Sequence, residues 1–307
     1  MGIVKKIISY VTDSDYRFLY NADKGWHNNM SDEAYIKRKF KAHFKRELDL
    51  ENPKTLNEKL QWLKLYYRKP EFTKMVDKHS AKEYVANIIG QEHIIPTLGV
   101  WKSFDEIDFD KLPNQFVLKC THDCGGLVIC KDKSKLDKAA AKKKIEKCLK
   151  YNFFWFGREW PYKNVEPQII CEEYITDGPD TEELTDYKFH CFDGVVDCVM
   201  VCYDRFSGET KYYFFNEKWE LQRLNNWGKK APEGFTLPKP EGMDEMFRIA
   251  EKLSKGMPYL RVDLYQSNGK IYFGELTLFS ASGFDWKLFP ETDAYWGEKL
   301  VLPEKIF

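Results

Sequence analysis

The sequence predicts an α+β protein with antiparallel sheets behind a helix-rich N-terminal region. Three observations predict it. Helical spacing of apolar residues is concentrated in residues 31–90, a strand, glycine-bearing loop and strand begin at Phe116, and residues 260–277 read as a hairpin. Strands joined by short turns, with no βαβ crossovers between them, belong to antiparallel rather than parallel sheets.

The elements follow in order. Residues 1–11 carry a short apolar run that Lys5 and Lys6 interrupt, with no small-residue cleavage site after it, which argues against a signal peptide. Gly2 suggests N-myristoylation, but Lys6 stands where that motif wants Ser or Thr. A short helix on the surface of the fold is expected here, in preference to one lying along a membrane. Leu56, Leu60, Leu63 and Tyr67 recur at helical spacing, with Asn57, Glu58 and Lys59 on the other side. Residues 77–89 form a further expected helix closed by Gly90, and Pro70 and Pro96 punctuate the region.

Phe116–Cys120 and Leu127–Cys130 read as strands around a loop holding Gly125 and Gly126, and residues 136–150 as a basic helix. A third strand is expected over 168–175, then a polar loop to Thr185, strands over 186–191, 195–203 and 211–216, and a helix over 243–255. These elements divide the chain into a helix-rich region (1–112), a smaller subdomain bearing the glycine loop (113–176) and a larger subdomain (177–307).

Composition excludes several roles. Lys plus Arg and Asp plus Glu both number 48, so no global field draws the chain to nucleic acid or an anionic membrane. Aromatics at 16% favour a folded globule over a disordered chain, and no run of 18 apolar residues is present to span a bilayer. Eight cysteines without an export signal read as reduced thiols and place the chain in the cytoplasm, with the inner face of the membrane, by peripheral association, as the alternative address. Cys120, Cys124 and Cys130 are close together but lack the paired C-x-x-C spacing of a zinc knuckle. Cys171, Cys191, Cys198 and Cys202 sit among apolar residues as small core side chains.

The hairpin carries the chemistry. A two-residue Asn268-Gly269 turn would put Asp263 and Glu275 on opposite faces. A three-residue loop with Gly269 in a bulge would pair Gln266 with Lys270, Asp263 with Phe273 and Arg261 with Glu275. The second register is expected, because it gathers Arg261, Asp263, Glu275 and Thr277 on one face and Leu260, Val262, Leu264, Tyr272 and Leu276 on the other. Two carboxylates and an arginine on one sheet face suit a hard divalent cation with phosphate. A solvated Arg261–Glu275 salt bridge is the plainer alternative. Lys119, directly before the Gly125-Gly126 loop, and Lys188, in a later strand, are candidate phosphate contacts.

The order of these parts resembles the ATP-grasp superfamily, in its TupA-like (teichuronopeptide biosynthesis) branch. The resemblance runs over residues 54–284. It includes the stretch from Thr55 to Lys64, Asp77 with Lys78 and His79, and Phe116 to Lys119. His122 with Gly125 and Gly126, then Glu172, Glu173 and Tyr174, and Asp186 to Phe189 follow. Arg261 with Asp263 and Gly274 to Thr277 complete it. The resemblance implies ATP between two antiparallel sheets, with Lys119 and Lys188 on its phosphates and the backbone of Glu172, Glu173, Tyr174 and Ile175 against adenine. Asp263 and Glu275 would hold magnesium (Mg2+) and Arg261 the transferring phosphoryl group. Thr277 stands where many relatives place an asparagine metal ligand, so its hydroxyl becomes the candidate. His122, beside the phosphate loop, is a better functional candidate than His190. The loops at Asp123 to Gly126 and Ser280 to Gly283 also depart from the branch's pattern.

The implied activity is an ATP-dependent carboxylate–amine ligase acting through an acylphosphate, joining an amino acid or small amine to an acidic sugar of a cell-surface polysaccharide. Three rival readings remain. One is a glycosyltransferase using a D-x-D pair, for which Asp13 with Asp15 and Asp108 with Asp110 qualify. The second is an ATP-grasp kinase, and the third a non-catalytic ATP-binding scaffold.

Overall fold

A computed structural model describes residues 2–123, 125–178, 181, 184–204 and 210–306. Cys124, and part of the polar loop expected before Thr185, lie outside the described residues. The chain begins with helices α1 (Ile3–Thr12), α2 (Ser14–Asp23), α3 (Asp32–Phe44), α4 (Leu56–Tyr66), α5 (Glu71–Val76) and α6 (Ser80–Ile89). Strands β1 (Thr97–Trp101), β2 (Phe116–Cys120) and β3 (Leu127–Cys130) lead to α7 (Lys138–Leu149), α8 (Phe154–Gly157) and β4 (Ile169–Glu173). Next come β5 (Asp186–Phe192), β6 (Val195–Tyr203), β7 (Lys211–Phe215), β8 (Leu221–Gln222), α9 (Asn226–Lys230) and α10 (Met243–Ser254). The hairpin β9 (Leu260–Ser267) and β10 (Lys270–Thr277) precedes α11 (Pro290–Lys299). The expected mixture of helices and two antiparallel sheets behind a helical N-terminal region is present.

Two compact units result. The first combines residues 1–69, 153–160 and 279–307, and the second residues 70–152 and 161–278. In the first unit α4 is buried nearly all round. Its N-terminus is fixed by a capping box in which the Thr55 hydroxyl accepts from the Glu58 N–H while the Glu58 carboxylate accepts from the Thr55 N–H. The expectation of a polar face at Asn57 and Glu58 is corrected. Both are buried, because Asn57 binds Asp293 and Asp285 of the C-terminal segment and Glu58 also pairs with Arg46. Tertiary partners thus override the amphipathic pattern.

The second unit holds both sheets. One has four strands in the order β1-β4-β2-β3, the other six in the order β10-β9-β5-β6-β7-β8. Alternation along β2 sends Phe116, Leu118 and Cys120 into a core with Ile145 of α7, and leaves Val117 and Lys119 on the opposite face. In the larger sheet α10 covers one face: its Met243, Met246, Phe247, Ala250 and Leu253 form a helical apolar stripe, and Phe247 meets Phe189 of β5 edge-on at 5.2 Å. The helix expected over 77–89 begins later, at Ser80. The Asp77 carboxylate accepts from the Ser80 hydroxyl (2.5 Å) and N–H (3.2 Å), which separates α5 from α6. The strand expected to reach residue 175 ends at Glu173.

The hairpin register is also corrected. The turn has two residues, Asn268 (φ 49°) and Gly269 (φ 76°), both left-handed as a type I′ turn requires. A bulge between Phe273 and Glu275 then pairs Asp263 with Glu275 and Arg261 with Thr277, in place of the expected Phe273 and Glu275. Gly274 sits at the bulge because a Cβ there would lie 3.0 Å from the Asp263 carbonyl and 2.7 Å from the Tyr265 ring. Cross-strand partners share a face, so Arg261, Asp263, Glu275 and Thr277 converge as expected. Tyr272 changes sides. It pairs with Tyr265 on the polar face, and Phe273 takes the core position opposite Leu264.

Candidate active site

The polar face of the larger sheet is built by alternation. Asp186, Lys188 and His190 lie on one face of β5, with Lys188 directly opposite Asp263 and His190 opposite Arg261 on β9. The Asp263 carboxylate is buried. Its Oδ1 accepts from Arg261 Nε at 2.7 Å and its Oδ2 from an Arg261 terminal nitrogen at 2.8 Å, a bidentate fork. Lys188 Nζ binds the same carboxylate and lies 3.5 Å from Asp186. Burial pushes the Asp263 carboxyl up, but Arg261 and Lys188 outweigh it and hold it well below the ordinary carboxylate range. Burial likewise opposes the charge on Lys188, yet Asp263 holds its ammonium above the ordinary lysine value. Glu275 stands beside Asp263 on the neighbouring strand, with the Thr277 hydroxyl 3.5 Å from its Oε1.

A second cluster lies on the four-stranded sheet. Glu172 of β4 is opposite Val117 of β2, so its side chain emerges next to that of Lys119. Lys119 Nζ is 2.5 Å from one Glu172 oxygen and Lys82 Nζ of α6 is 2.5 Å from the other. Lys82 also donates to the Ile95 carbonyl at 2.6 Å and the Thr97 hydroxyl at 2.9 Å. Burial alone would raise the Glu172 carboxyl; Lys119 and Lys82 hold it below its ordinary value. Lys82 itself is pushed down by burial despite Glu172.

The unit encloses a cavity of about 540 Å³. Val117, Leu127 and Ile129 give it an apolar wall, Lys119 a cation, and Glu173, Tyr174 and Ile175 a rim past the end of β4. Tyr265 reaches it from the larger sheet. Leu127 and Ile129 are well exposed there (40% and 48%), apolar surface that a flat ring can cover.

Of the expected residues, Lys119 and Glu172 to Ile175 line this cavity, and Lys188, Arg261, Asp263, Glu275, Thr277, His122, Gly125 and Gly126 do not. His122 is buried, and its Nε2 lies 3.1 Å from the carbonyls of Cys148 and Tyr151, tying the loop to the end of α7. The Gly126 N–H is donated to the Asp123 carboxylate at 3.1 Å. Gly126 packs so close to Cys120 that a Cβ would lie 2.5 Å from its sulfur. The D-x-D aspartates have local duties. Asp13 caps α2, Asp15 pairs with Arg38 (2.6 Å) and Lys45 (2.7 Å), and Asp108 caps a short 3-10 turn that contains Asp110. Among the described residues no group of three or more His, Cys, Asp or Glu side chains is arranged to hold a metal.

Sequence reasoning missed Lys82, Asp186 and Tyr265 as members of the site. Asp186 was detectable from the two-residue period it shares with Lys188. Lys82 was not, since only tertiary packing brings α6 to Glu172.

The family model described as TupA-like ATPgrasp matches residues 58–301. The chain belongs to the TupA-like ATP-grasp family. Solved structures similar to this TupA-like chain include D-cycloserine synthetase, 14% identical, covering 76% of this chain and 72% of that one at a TM-score of 0.43. D-alanine–D-alanine ligase from Helicobacter pylori is 11% identical, covering 80% and 69% at 0.43. The corresponding ligase from Bacillus anthracis is 15% identical, covering 73% and 62% at 0.41, so the chain spans less than two thirds of that enzyme's length. No curated protein sequence matches the chain.

Proposed function

We propose that this TupA-like ATP-grasp chain is an ATP-dependent carboxylate–amine ligase with MgATP in its second unit. One observation carries the reading: a buried, ionised Asp263 gripped by Arg261 and Lys188, with Glu275 beside it on the same face. Buried cations of this kind are preorganised for phosphoryl oxygens and cost no rearrangement of solvent during reaction.

The donor set fits magnesium. Asp263 and Glu275 are neighbouring hard oxygen ligands, Asp263 is kept ionised by its partners, and the Thr277 hydroxyl lies alongside. Magnesium, when bound, supplies charge neutralisation and alignment of phosphoryl oxygens. Lys119 and Lys188 then hold phosphates, Arg261 meets the charge on the transferred phosphoryl group, and the backbone at Glu172, Glu173, Tyr174 and Ile175 contacts adenine. The apolar wall of Val117, Leu127 and Ile129 covers the ring. His122 holds the loop carrying Gly125 and Gly126 to the end of α7.

In the reaction the substrate carboxylate oxygen attacks the terminal phosphorus and ADP leaves. The amine nitrogen then attacks the acyl carbon, phosphate departs, and the amine proton passes to solvent. The finer proposal, an acidic sugar of a cell-surface polysaccharide joined to an amino acid or small amine, rests on the family resemblance, and the cytoplasmic address on the cysteines read as reduced thiols. The test is ADP release on a matrix of uronic acids and amines. A ligase releases ADP in bulk only when both are present and yields an amide. ADP release with a sugar alone, leaving a stable phosphate ester, would make the chain a kinase.

A further inference from the structure

The first helix displays an apolar face with no cover. Ile3, Val4, Ile7, Ile8 and Val11 of α1 are between 55% and 78% exposed, and no residue of α1 is buried. On a helical projection these five side chains fill one continuous arc. Thr12 and Tyr10 border the arc, and Lys5 and Lys6 lie beyond them on the polar side, one toward each edge, with Ser9 between. The helix is fixed through Tyr10, at one border of the arc, and through backbone carbonyls near its C-terminus. The Tyr10 hydroxyl donates to Asn21 at 3.0 Å, Arg17 donates to the carbonyls of Tyr10 and Val11, and Tyr10 meets Tyr20 edge-on at 5.4 Å. The anchoring therefore leaves the apolar arc free.

We propose that α1 docks the chain on an anionic lipid bilayer, lying in the plane of the interface. The charge pattern selects this occupant. Long lysine side chains on the polar side of the helix, one toward each edge of the apolar arc, extend to headgroups while the arc enters the acyl boundary. Residues 2–12 carry no acid. The nearest carboxylates are already engaged: Asp13 accepts the Asp15 and Tyr16 N–H groups at the start of α2, and Asp15 pairs with Arg38 and Lys45. Tyr20, 44% exposed beside Tyr10, adds an aromatic suited to headgroup depth. The balanced charge of the whole chain hides this local +2 surface.

The test is flotation of the full chain with phosphatidylcholine vesicles, with and without phosphatidylglycerol. The chain floats with the anionic vesicles, and added salt weakens binding. The double variant Ile7→Glu/Val11→Glu stays at the bottom of the gradient with an unchanged melting temperature. Lys5→Gln and Lys6→Gln each weaken partitioning by about fivefold. Absence of flotation, or flotation that survives the glutamates, overturns the proposal. So does a concentration-dependent dimer abolished by the same glutamates without any vesicle binding, which would assign the face to a second copy of the chain.

Discussion

Replacing Asp263 by asparagine isolates what that carboxylate does. The side chain is buried and is held by three hydrogen bonds, two from Arg261 and one from Lys188. The amide keeps the shape but removes the charge, leaving buried Arg261 without its forked partner and Lys188 with Asp186 at 3.5 Å. Removing one partner of a buried pair costs about 3–5 kcal/mol, and the retained amide oxygen favours the lower end. For a unit of this size that lowers the melting temperature by roughly 6–12 °C. A pH signature accompanies it. The folded pKa of Asp263 is depressed below its unfolded value, so its contribution is fully present above about pH 4 and is lost as pH falls through the folded value. Asp263→Asn therefore loses stability at neutral pH and loses less on further acidification. Glu275→Gln, at a partly exposed position, is the control: it changes stability by under about 1 kcal/mol, while both variants abolish ADP release. Calorimetric melts between pH 3 and 8 measure both variants. An Asp263→Asn protein melting within about 2 °C of wild type, with the same acid limb, would show that Asp263 does not balance Arg261 and Lys188 in the folded chain.

Two further predictions follow from the same geometry. Lys82→Met removes one of two cations from buried Glu172, so stability falls by about 1–3 kcal/mol, and the KM for ATP rises severalfold with little change in kcat because Lys119 is drawn onto Glu172. An unchanged KM would show that Lys82 does not position Lys119. Burial holds the imidazoles of His190 and His43 down, at about 3 and about 4, so the unfolded chain binds protons that the folded one refuses. Stability then falls as pH drops below about 6.5, by up to about 1.4 kcal/mol per pH unit for each histidine, and His190→Gln removes its share of that slope. A melting profile flat between pH 6.5 and 5 would contradict this.

The legibility of the fold varied for identifiable reasons. The sidedness of the hairpin was readable because gathering the apolar residues on one face places Arg261, Asp263, Glu275 and Thr277 together on the other. Its register was not, because the bulge at Gly274 depends on a close approach to the Asp263 carbonyl that no local pattern announces. Lys119, Lys188, Arg261 and Asp263 were legible as charges inside strands, which need a reason to be there. Their partners differ from the expected ones, since the Arg261 fork closes on Asp263 of its own strand. The burial of Asn57 and Glu58 depends on the C-terminal segment and on Arg46, and helical spacing carries no trace of either. The exposed arc of α1 was visible as an apolar run, but its lack of cover is a property of the fold alone.

Calorimetric titration of the wild-type chain, Lys119→Met and Lys188→Met with ATP, with and without magnesium, and with UDP-sugars, decides which nucleotide the second unit binds. The wild type binds ATP only with magnesium, gaining about 2.7 kcal/mol of stability at a hundredfold excess over Kd. Both lysine variants bind it far more weakly, and UDP-sugars give no heat. A chain that ignores MgATP and binds a UDP-sugar would instead be a glycosyltransferase.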